Sequence, residues 1–211
     1  YYSIRKGPYK CHFKKPTYLL WLQQIELFIK QMNTMKNKDV PYFSYTFISE
    51  YTHDYLSVPR DFDYALTKML QNFKDKGWLE NTLVILFGDH GHRMSSFSRT
   101  PMGRFERNRP FFSMKLPNKF RKSIFLKNLQ SNKNKLSTFI DVYQTLRQIL
   151  YINKFNQDVS DQENSACRNQ FKKNDHKIRT HRGISLLEQI PENRTCHDAM
   201  ISMKRCSCLQ R

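Results

Sequence analysis

The chain has 211 residues, of which 39% are hydrophobic and 14% aromatic, so it can bury one sizeable core and is not compositionally disordered. Its formal net charge of +18 would attract polyanions, although a coding sequence rich in A and T explains the abundant Lys, Asn, Phe and Tyr equally well. No stretch approaches the roughly 20 apolar residues that a membrane-spanning helix needs.

The chain begins at Tyr1 and shows no leader pattern, so we expect a processed or incomplete chain. Predicted helices and strands alternate in its first part. Pro16 precedes a predicted helix whose apolar residues recur at helical spacing: Tyr18, Leu22, Ile25, Ile29 and Met32. An alternating aromatic run then predicts a strand over residues 42–49. A second helix is predicted from Asp61, with Gly77 as its stop.

The sequence TLVILF predicts a strand over residues 82–87 that is buried on both faces. A further strand is predicted over residues 110–116, followed by a basic, Asn-rich loop that runs through Lys135. Thr138 and Asp141 match a capping box, which predicts the start of a third helix. Beyond about Asn153 the pattern becomes polar and charged.

Strands separated by helices predict an α/β fold, with a mostly parallel sheet covered by helices on both faces. We expect residues 1–152 to form this domain, and residues 153–211 to be a basic, cysteine-containing tail packed on it or extending from it. Ligands of such sheets gather beyond the carboxyl ends of the strands, so the residues after Phe87 are the first place to look for a site.

Asp89 and His90 follow the predicted buried strand directly and carry good ligands for a divalent metal, above all Zn²⁺. Neighbouring side chains of a strand point to opposite faces, so both can reach one ion only if the chain turns there. Gly88 and Gly91 permit that turn. The tripeptide Asp-His-Gly also occurs by chance in many loops. Its position directly after a predicted buried strand is what favours a functional site over a chance occurrence.

Several spaced motifs occur together in order around and beyond this turn. They are Asn81-Thr82, Gly88-Asp89-His90-Gly91-x-Arg93, Gly103-x-x-Glu106 and Arg109-Pro110, with Ser49-Glu50-Tyr51-Thr52-His53-Asp54 upstream and, downstream, Arg182-Gly183-Ile184-Ser185-Leu186-Leu187, Asn193-Arg194-Thr195-Cys196 and Cys206-Ser207-Cys208. This set resembles the extracellular DUF229 family, an arm of the alkaline phosphatase and sulfatase superfamily, over essentially the whole chain.

The resemblance implies an alkaline phosphatase-like fold that is incomplete at its N-terminus, together with metal-dependent hydrolysis of phosphate or sulfate esters in the full-length form. One or two divalent ions, Zn²⁺ or Ca²⁺, are expected, with Asp89 and His90 as ligands of one of them. No part of residues 1–41 resembles the strand-to-helix elbow of the catalytic nucleophile, and Cys11 lies in an irregular, Lys-rich stretch. We therefore expect no turnover by this chain alone, and low stability or aggregation.

Four further residues are candidates for contacts with substrate or metal. His53 is either such a contact or an exposed hydrogen-bonding histidine, and Arg93 either binds the oxygens of a phosphate or sulfate or pairs with an acid such as Glu106. His92 and His181 are the other two candidates, as possible ligands of the metal.

The partner implied by these features is an anionic ester or an acidic glycan, and no specific nucleic acid is expected, because no nucleic-acid-binding motif accompanies the charge. The alternative function is a catalytically silent extracellular protein that binds polyanions. Oligomeric state and substrate stay open.

An oxidising, extracellular location is favoured by the cysteines and by a glycosylation sequon at Asn193. The chain has five cysteines, so at least one is unpaired within the chain or bonded outside it. The disulfide candidates, whose pairing the sequence leaves open, are Cys167, Cys196, Cys206 and Cys208.

Overall fold

The computed structural model describes residues 11–12, 15–35, 40–48, 59–93, 95–152 and 183–206. The chain divides into two compact units, residues 1–118 (unit 1) and residues 119–211 (unit 2). The predicted domain boundary at residue 152 adjoins residues 153–182, which lie outside the described part of the chain, so that boundary stays a prediction.

Unit 1 contains a helix pair with an apolar core. Strands β1 (Cys11–His12) and β2 (Lys15–Pro16) form a short antiparallel pair that leads into helix α1 (Thr17–Thr34), and helix α2 is Pro59–Asp75. Both helices were predicted by their apolar spacing, and they pack through the buried side chains Tyr18, Leu22, Ile29, Met69 and Phe73. Gly77, with φ of 72°, ends α2 as the sequence predicts, since only glycine adopts that conformation without strain.

The second part of unit 1 is a two-stranded antiparallel sheet. Strand β3 (Val84–Phe87) pairs with strand β4 (Phe112–Lys115), and helix α3 (Pro101–Asn108) lies between them in the chain. The amide of Gly88 donates to the carbonyl of Phe111 at 2.9 Å, so the connection leaves and rejoins the sheet at the same end. The chain direction therefore reverses between the two strands.

The mixed α/β content is confirmed, but the sheet differs from the prediction. No parallel strand pair occurs among the described residues, because the β3–β4 connection returns to its starting end instead of crossing the sheet. Among the described residues β3 has one partner strand, and its side chains are half-buried or exposed, so the prediction of burial on both faces is wrong.

The strand predicted over residues 42–49 is also wrong where the structure describes it, since residues 40–48 join no strand ladder. Tyr42 and Ile48 pack against the helical core, and the Tyr42 ring meets that of Phe28 edge to face, with centroids 5.7 Å apart. The aromatic side chains of Phe43, Tyr45 and Phe47 are exposed. The alternation in the sequence is real, but no backbone in the described part of the chain pairs with it to form a sheet.

The described part of unit 2 contains helices α4 (Ile124–Ser131) and α5 (Phe139–Ile152) and a largely irregular C-terminal segment, residues 183–206. The loop predicted through Lys135 is therefore wrong over α4, which buries Phe125 beneath a surface of Lys and Asn. The capping box is confirmed, because Asp141 Oδ2 accepts from the amide of Thr138 at 2.7 Å. Although the end of the chain reads as a polar tail, the C-terminal segment buries Leu186, Leu187 and Ile190.

Polar side chains hold the backbone of residues 184–190 in place. The Asn132 side chain donates to the carbonyls of Leu186 and Glu188 and accepts from the amide of Ile190 at 2.9 Å. Thr145 Oγ1 accepts from the amide of Leu186 at 2.8 Å. These bonds supply partners that a strand or helix would otherwise provide, which lets an irregular segment be buried.

A buried ion pair joins α5 to the same segment. The guanidinium of Arg194 donates to both carboxylate oxygens of Asp141, at 2.8 and 2.9 Å, and the two side chains are 3% and 0% exposed. Asp141 Oδ1 also accepts from the amide of Ile184 at 2.7 Å. One carboxylate thus caps α5, neutralises a buried arginine and anchors the C-terminal segment.

The C-terminal segment contains a helical turn that ends at Met200, a residue with φ of 59°. The amide of Ile201 donates to the carbonyl of Cys196 at 2.8 Å, and the amide of Met200 donates to that of His197 at 3.1 Å. This bond pattern places Met200 where helix ends usually have glycine. A residue with a Cβ atom is strained there by about 1–2 kcal/mol.

We expect Met200→Gly to stabilise unit 2 by about 0.5–1 kcal/mol, because relief of this strain exceeds the added freedom of the unfolded chain. Both tryptophans, Trp21 and Trp78, lie in unit 1, so protection of the α5 amides from hydrogen exchange is the appropriate measurement. Met203→Gly is the matched control, since Met203 is exposed and does not have a positive φ. Equal changes in the two variants would contradict the strain at Met200.

Candidate metal centre

The loop that follows β3 is fixed at both of its glycines. Gly88 continues the pairing with Phe111, and the amide of Gly91 donates to the carbonyl of Arg107 at 3.0 Å. A Cβ atom at Gly91 would lie 2.6 Å from the carbonyl oxygen of Glu106 and 2.8 Å from Cα of Arg107, whereas one at Gly88 would find ordinary contacts at 3.7 Å or more. Only glycine therefore lets the loop lie this close to the end of α3.

Asp89 and His90 form a bend between these two anchors, and their side chains converge. His90 Nε2 lies 3.4 Å from Asp89 Oδ2, and the amide of His90 donates to Asp89 Oδ1 at 2.9 Å. His90 Nδ1 lies 2.8 Å from the carbonyl oxygen of Gly91. Because a carbonyl oxygen can only accept, Nδ1 carries the proton, and in the neutral ring Nε2 presents a lone pair towards the carboxylate.

This pair fits a bound divalent cation. Two ligands at the usual zinc distances and a tetrahedral angle lie roughly 3.3–3.6 Å apart, which matches the 3.4 Å between Nε2 and Oδ2. The hydrogen bond from Nδ1 to a carbonyl is the usual way to orient a metal-binding histidine. The side chains of His90 and Asp89 are 33% and 53% exposed, so a cation held by them would keep positions open to solvent.

The other predicted site residues do not complete this pair within the described part of the chain. No group of three or more His, Cys, Asp or Glu side chains suited to a metal occurs there, so His92 does not join Asp89 and His90 in such a group. Nδ1 of His92 is buried without a hydrogen-bond partner. Arg93 is exposed and forms no ion pair with Glu106. His53 and His181 lie outside the described residues.

Residues 95–109 pack around the loop as a compact turn and helix. The Ser98 hydroxyl donates to the carbonyls of Arg93 and Ser95, at 2.8 and 2.6 Å, and Thr100 Oγ1 caps α3 by accepting from the amide of Gly103 at 3.1 Å. Gly103 lies so close to the backbone of Phe97 that it has no room for a Cβ atom. These contacts fix the start of α3, and the end of the same helix lies against Gly91, next to His90.

A family model described as "Protein of unknown function (DUF229)" matches residues 2–211. The chain belongs to the DUF229 family. No curated protein and no solved structure is significantly similar to it. The motifs that suggested DUF229 include the Asp89–His90 turn and the C-terminal segment, and in this DUF229 chain both have defined geometry: the first as a converging pair and the second as the buried part of unit 2.

In the C-terminal segment of this DUF229 chain, Cys196 and Cys206 form a disulfide bond, and Asn193 is exposed. Cys11 is free and exposed, while Cys167 and Cys208 lie outside the described residues. No helix among the described residues has both the length and the apolar character to cross a bilayer.

Two features were not predicted from the sequence. The Asp141–Arg194 pair joins residues separated by 53 positions, and the sequence indicates Arg194 only as a member of the sequon and of the motif Asn193-Arg194-Thr195-Cys196. The contact of Gly91 with Glu106 and Arg107 is likewise not indicated by the sequence, although Glu106 belongs to the motif Gly103-x-x-Glu106. The lack of room for a side chain at a glycine can be recognised only when the position of the neighbouring backbone is known.

Proposed function

We propose that this DUF229 chain supplies a divalent-metal site for the hydrolysis of phosphate or sulfate esters by the full-length protein. The observation that carries the proposal is the convergence of His90 Nε2 and Asp89 Oδ2 to 3.4 Å, with the histidine ring held by the carbonyl of Gly91. Two electron-rich atoms held this close are stabilised by a cation between them.

The ligand types favour a zinc-like ion over calcium. Imidazole nitrogen suits Zn²⁺ and other transition metals, whereas Ca²⁺ takes oxygen ligands. A zinc ion held here would supply Lewis-acid charge to an ester oxygen. The protein's own contribution is to orient His90 through Nδ1, to hold the loop against α3 at Gly91, and to leave Asp89 open to solvent.

We place this activity outside the cell. The disulfide between Cys196 and Cys206 supports an oxidising compartment, and the exposed Asn193 of the sequon supports passage through the secretory route. Anionic esters or acidic glycans are the partners that fit the net charge of +18.

Titration of the metal-free chain with Zn²⁺ in a calorimeter tests the metal site. We expect Asp89→Asn and His90→Gln each to weaken zinc binding by about tenfold or more, because each removes one of two converging ligands. His197→Gln is the matched control, since His197 is an exposed histidine of unit 2 and should leave the affinity unchanged.

Equal zinc affinity in the wild type, Asp89→Asn and His90→Gln would contradict the site. Hydrolysis is tested on the full-length protein with an aryl phosphate and an aryl sulfate. We expect turnover that a chelator removes, that added Zn²⁺ restores, and that Asp89→Asn abolishes. Turnover that survives both the chelator and Asp89→Asn would contradict the proposed role.

A further inference from the structure

Residues 93–109, which follow the Asp89–His90 pair, contain arginine as their only cation. The whole chain has 21 lysines and 15 arginines, yet this segment has five arginines, no lysine and one acid, Glu106. The five are Arg93, Arg99, Arg104, Arg107 and Arg109. Lysine supplies more than half of the positive charge of the whole chain, so this segment is distinguished by its planar guanidinium groups.

The structure places this arginine segment beside the candidate metal centre. The backbone of Arg107 touches Gly91, the residue after His90, so the end of α3 and the metal-ligand loop are in direct contact. Arg104 and Arg107 are separated by three positions in α3 and so lie on one side of the helix. Arg93, Arg99 and Arg104 are exposed and Arg107 is half-buried.

None of these four arginines forms an ion pair with an acidic side chain among the described residues, where the arginine–carboxylate pair found is Arg194–Asp141. Arg109 differs, because its guanidinium lies 4.1 Å from the centroid of the Phe105 ring. The helix dipole favours a cation at position 107, but lysine would serve that purpose equally well. Four guanidinium groups are therefore available for bidentate contacts with an anion.

We infer that Arg93, Arg99, Arg104 and Arg107, the arginine surface, bind the oxygens of a substrate that carries several phosphate or sulfate groups. One group lies at the Asp89–His90 centre, and the arginine surface holds the others by paired N–H···O bonds. This inference rests on the proposed ester-hydrolase function and narrows its substrate class to polyanionic esters.

The test measures anion binding by the 211-residue chain at about 0.15 M salt, where charges farther apart than roughly 8 Å are screened. The probes are inorganic sulfate, inorganic phosphate, tripolyphosphate and a trisulfated disaccharide, each titrated with chelator and again with Zn²⁺. The variant Arg104→Lys/Arg107→Lys keeps the charge and removes the paired donors. The control Lys68→Gln/Lys74→Gln removes two exposed charges from α2 of the same unit.

We expect the wild type to bind at least one of the multiply charged probes about tenfold more tightly than the inorganic ion of the same chemistry, and Arg104→Lys/Arg107→Lys to lose about tenfold in that affinity. Lys68→Gln/Lys74→Gln should change it less than twofold. A loss of affinity for tripolyphosphate would show that the arginine surface recognises phosphate groups, and a loss for the trisulfated disaccharide that it recognises sulfate groups. A loss for both probes would show that it recognises both groups.

Affinity within twofold of the wild type in the arginine variant would overturn the inference, as would an equal loss in the lysine control or equal binding of single and multiple anions. Failure of the wild type to bind Zn²⁺ would instead overturn the proposed function, while the titrations with chelator still report on the arginine surface. Retained zinc binding with unaltered anion binding in the arginine variant would overturn the arginine surface alone.

Discussion

Asp141→Asn is expected to destabilise unit 2 by about 3–5 kcal/mol, because it removes the carboxylate charge that pairs with the buried guanidinium of Arg194. The substitution keeps the size of the side chain and removes only its charge and one acceptor. Asp141 is fully buried and accepts from Arg194, Thr138 and Ile184, so no water replaces the lost interactions at low cost.

Hydrogen exchange measures the loss of stability in Asp141→Asn at the backbone amides that side chains of α5 hold. The amides of Ile184 and Leu186 donate to side chains of α5, at 2.7 Å to Asp141 and at 2.8 Å to Thr145. Both amides should lose most of their protection in Asp141→Asn. Glu192→Gln is the matched control, since Glu192 is an exposed acid of the same unit and its replacement should change stability by less than about 0.5 kcal/mol. Unchanged protection of Ile184 in Asp141→Asn would contradict the role of the ion pair.

Gly91→Ala is expected to destabilise unit 1 by about 2–3 kcal/mol and to weaken zinc binding by about tenfold. Its new methyl group would lie 2.6 Å from the carbonyl oxygen of Glu106, so the loop must move away from α3. That movement displaces His90, whose ring is oriented by the carbonyl of Gly91 at 2.8 Å.

Gly88→Ala provides the comparison, because a Cβ atom at Gly88 would meet its nearest neighbour, Cβ of Pro110, at 3.7 Å. Both substitutions add one methyl group within two residues of the proposed metal ligands Asp89 and His90, and they differ in the space available. The fluorescence of Trp21 and Trp78 reports the unfolding of unit 1, and calorimetry reports the zinc affinity. Equal effects of the two substitutions would show that the packing at Gly91 is unimportant.

Local apolar spacing was sufficient to predict α1, α2, β3 and α5, because each of these elements shows its periodicity or its cap within its own residues. Helix α4 was not predicted, because its apolar residues are few and the polar residues Lys127, Asn128 and Gln130 stand among them. The turn at Asp89 and His90 was predictable for the same local reason, since glycines flank the two candidate ligands.

Features that depend on distant residues were not predictable in this way. The direction of β4 relative to β3 depends on a connection that returns to Phe111, and no property of either strand alone indicates it. Burial of the C-terminal segment depends on Asn132 and Thr145, which bond to its backbone from positions at least 41 residues away. Sequence patterns predict elements, whereas such partners become visible only in the folded chain.

The most direct test of the metal centre is a crystal structure of the zinc-soaked protein with anomalous data collected at the zinc edge. The proposed site predicts an anomalous peak within about 2.0–2.2 Å of His90 Nε2 and of a carboxylate oxygen of Asp89. A peak bound only at other residues, or no peak near His90 at zinc concentrations that saturate the protein in solution, would contradict it.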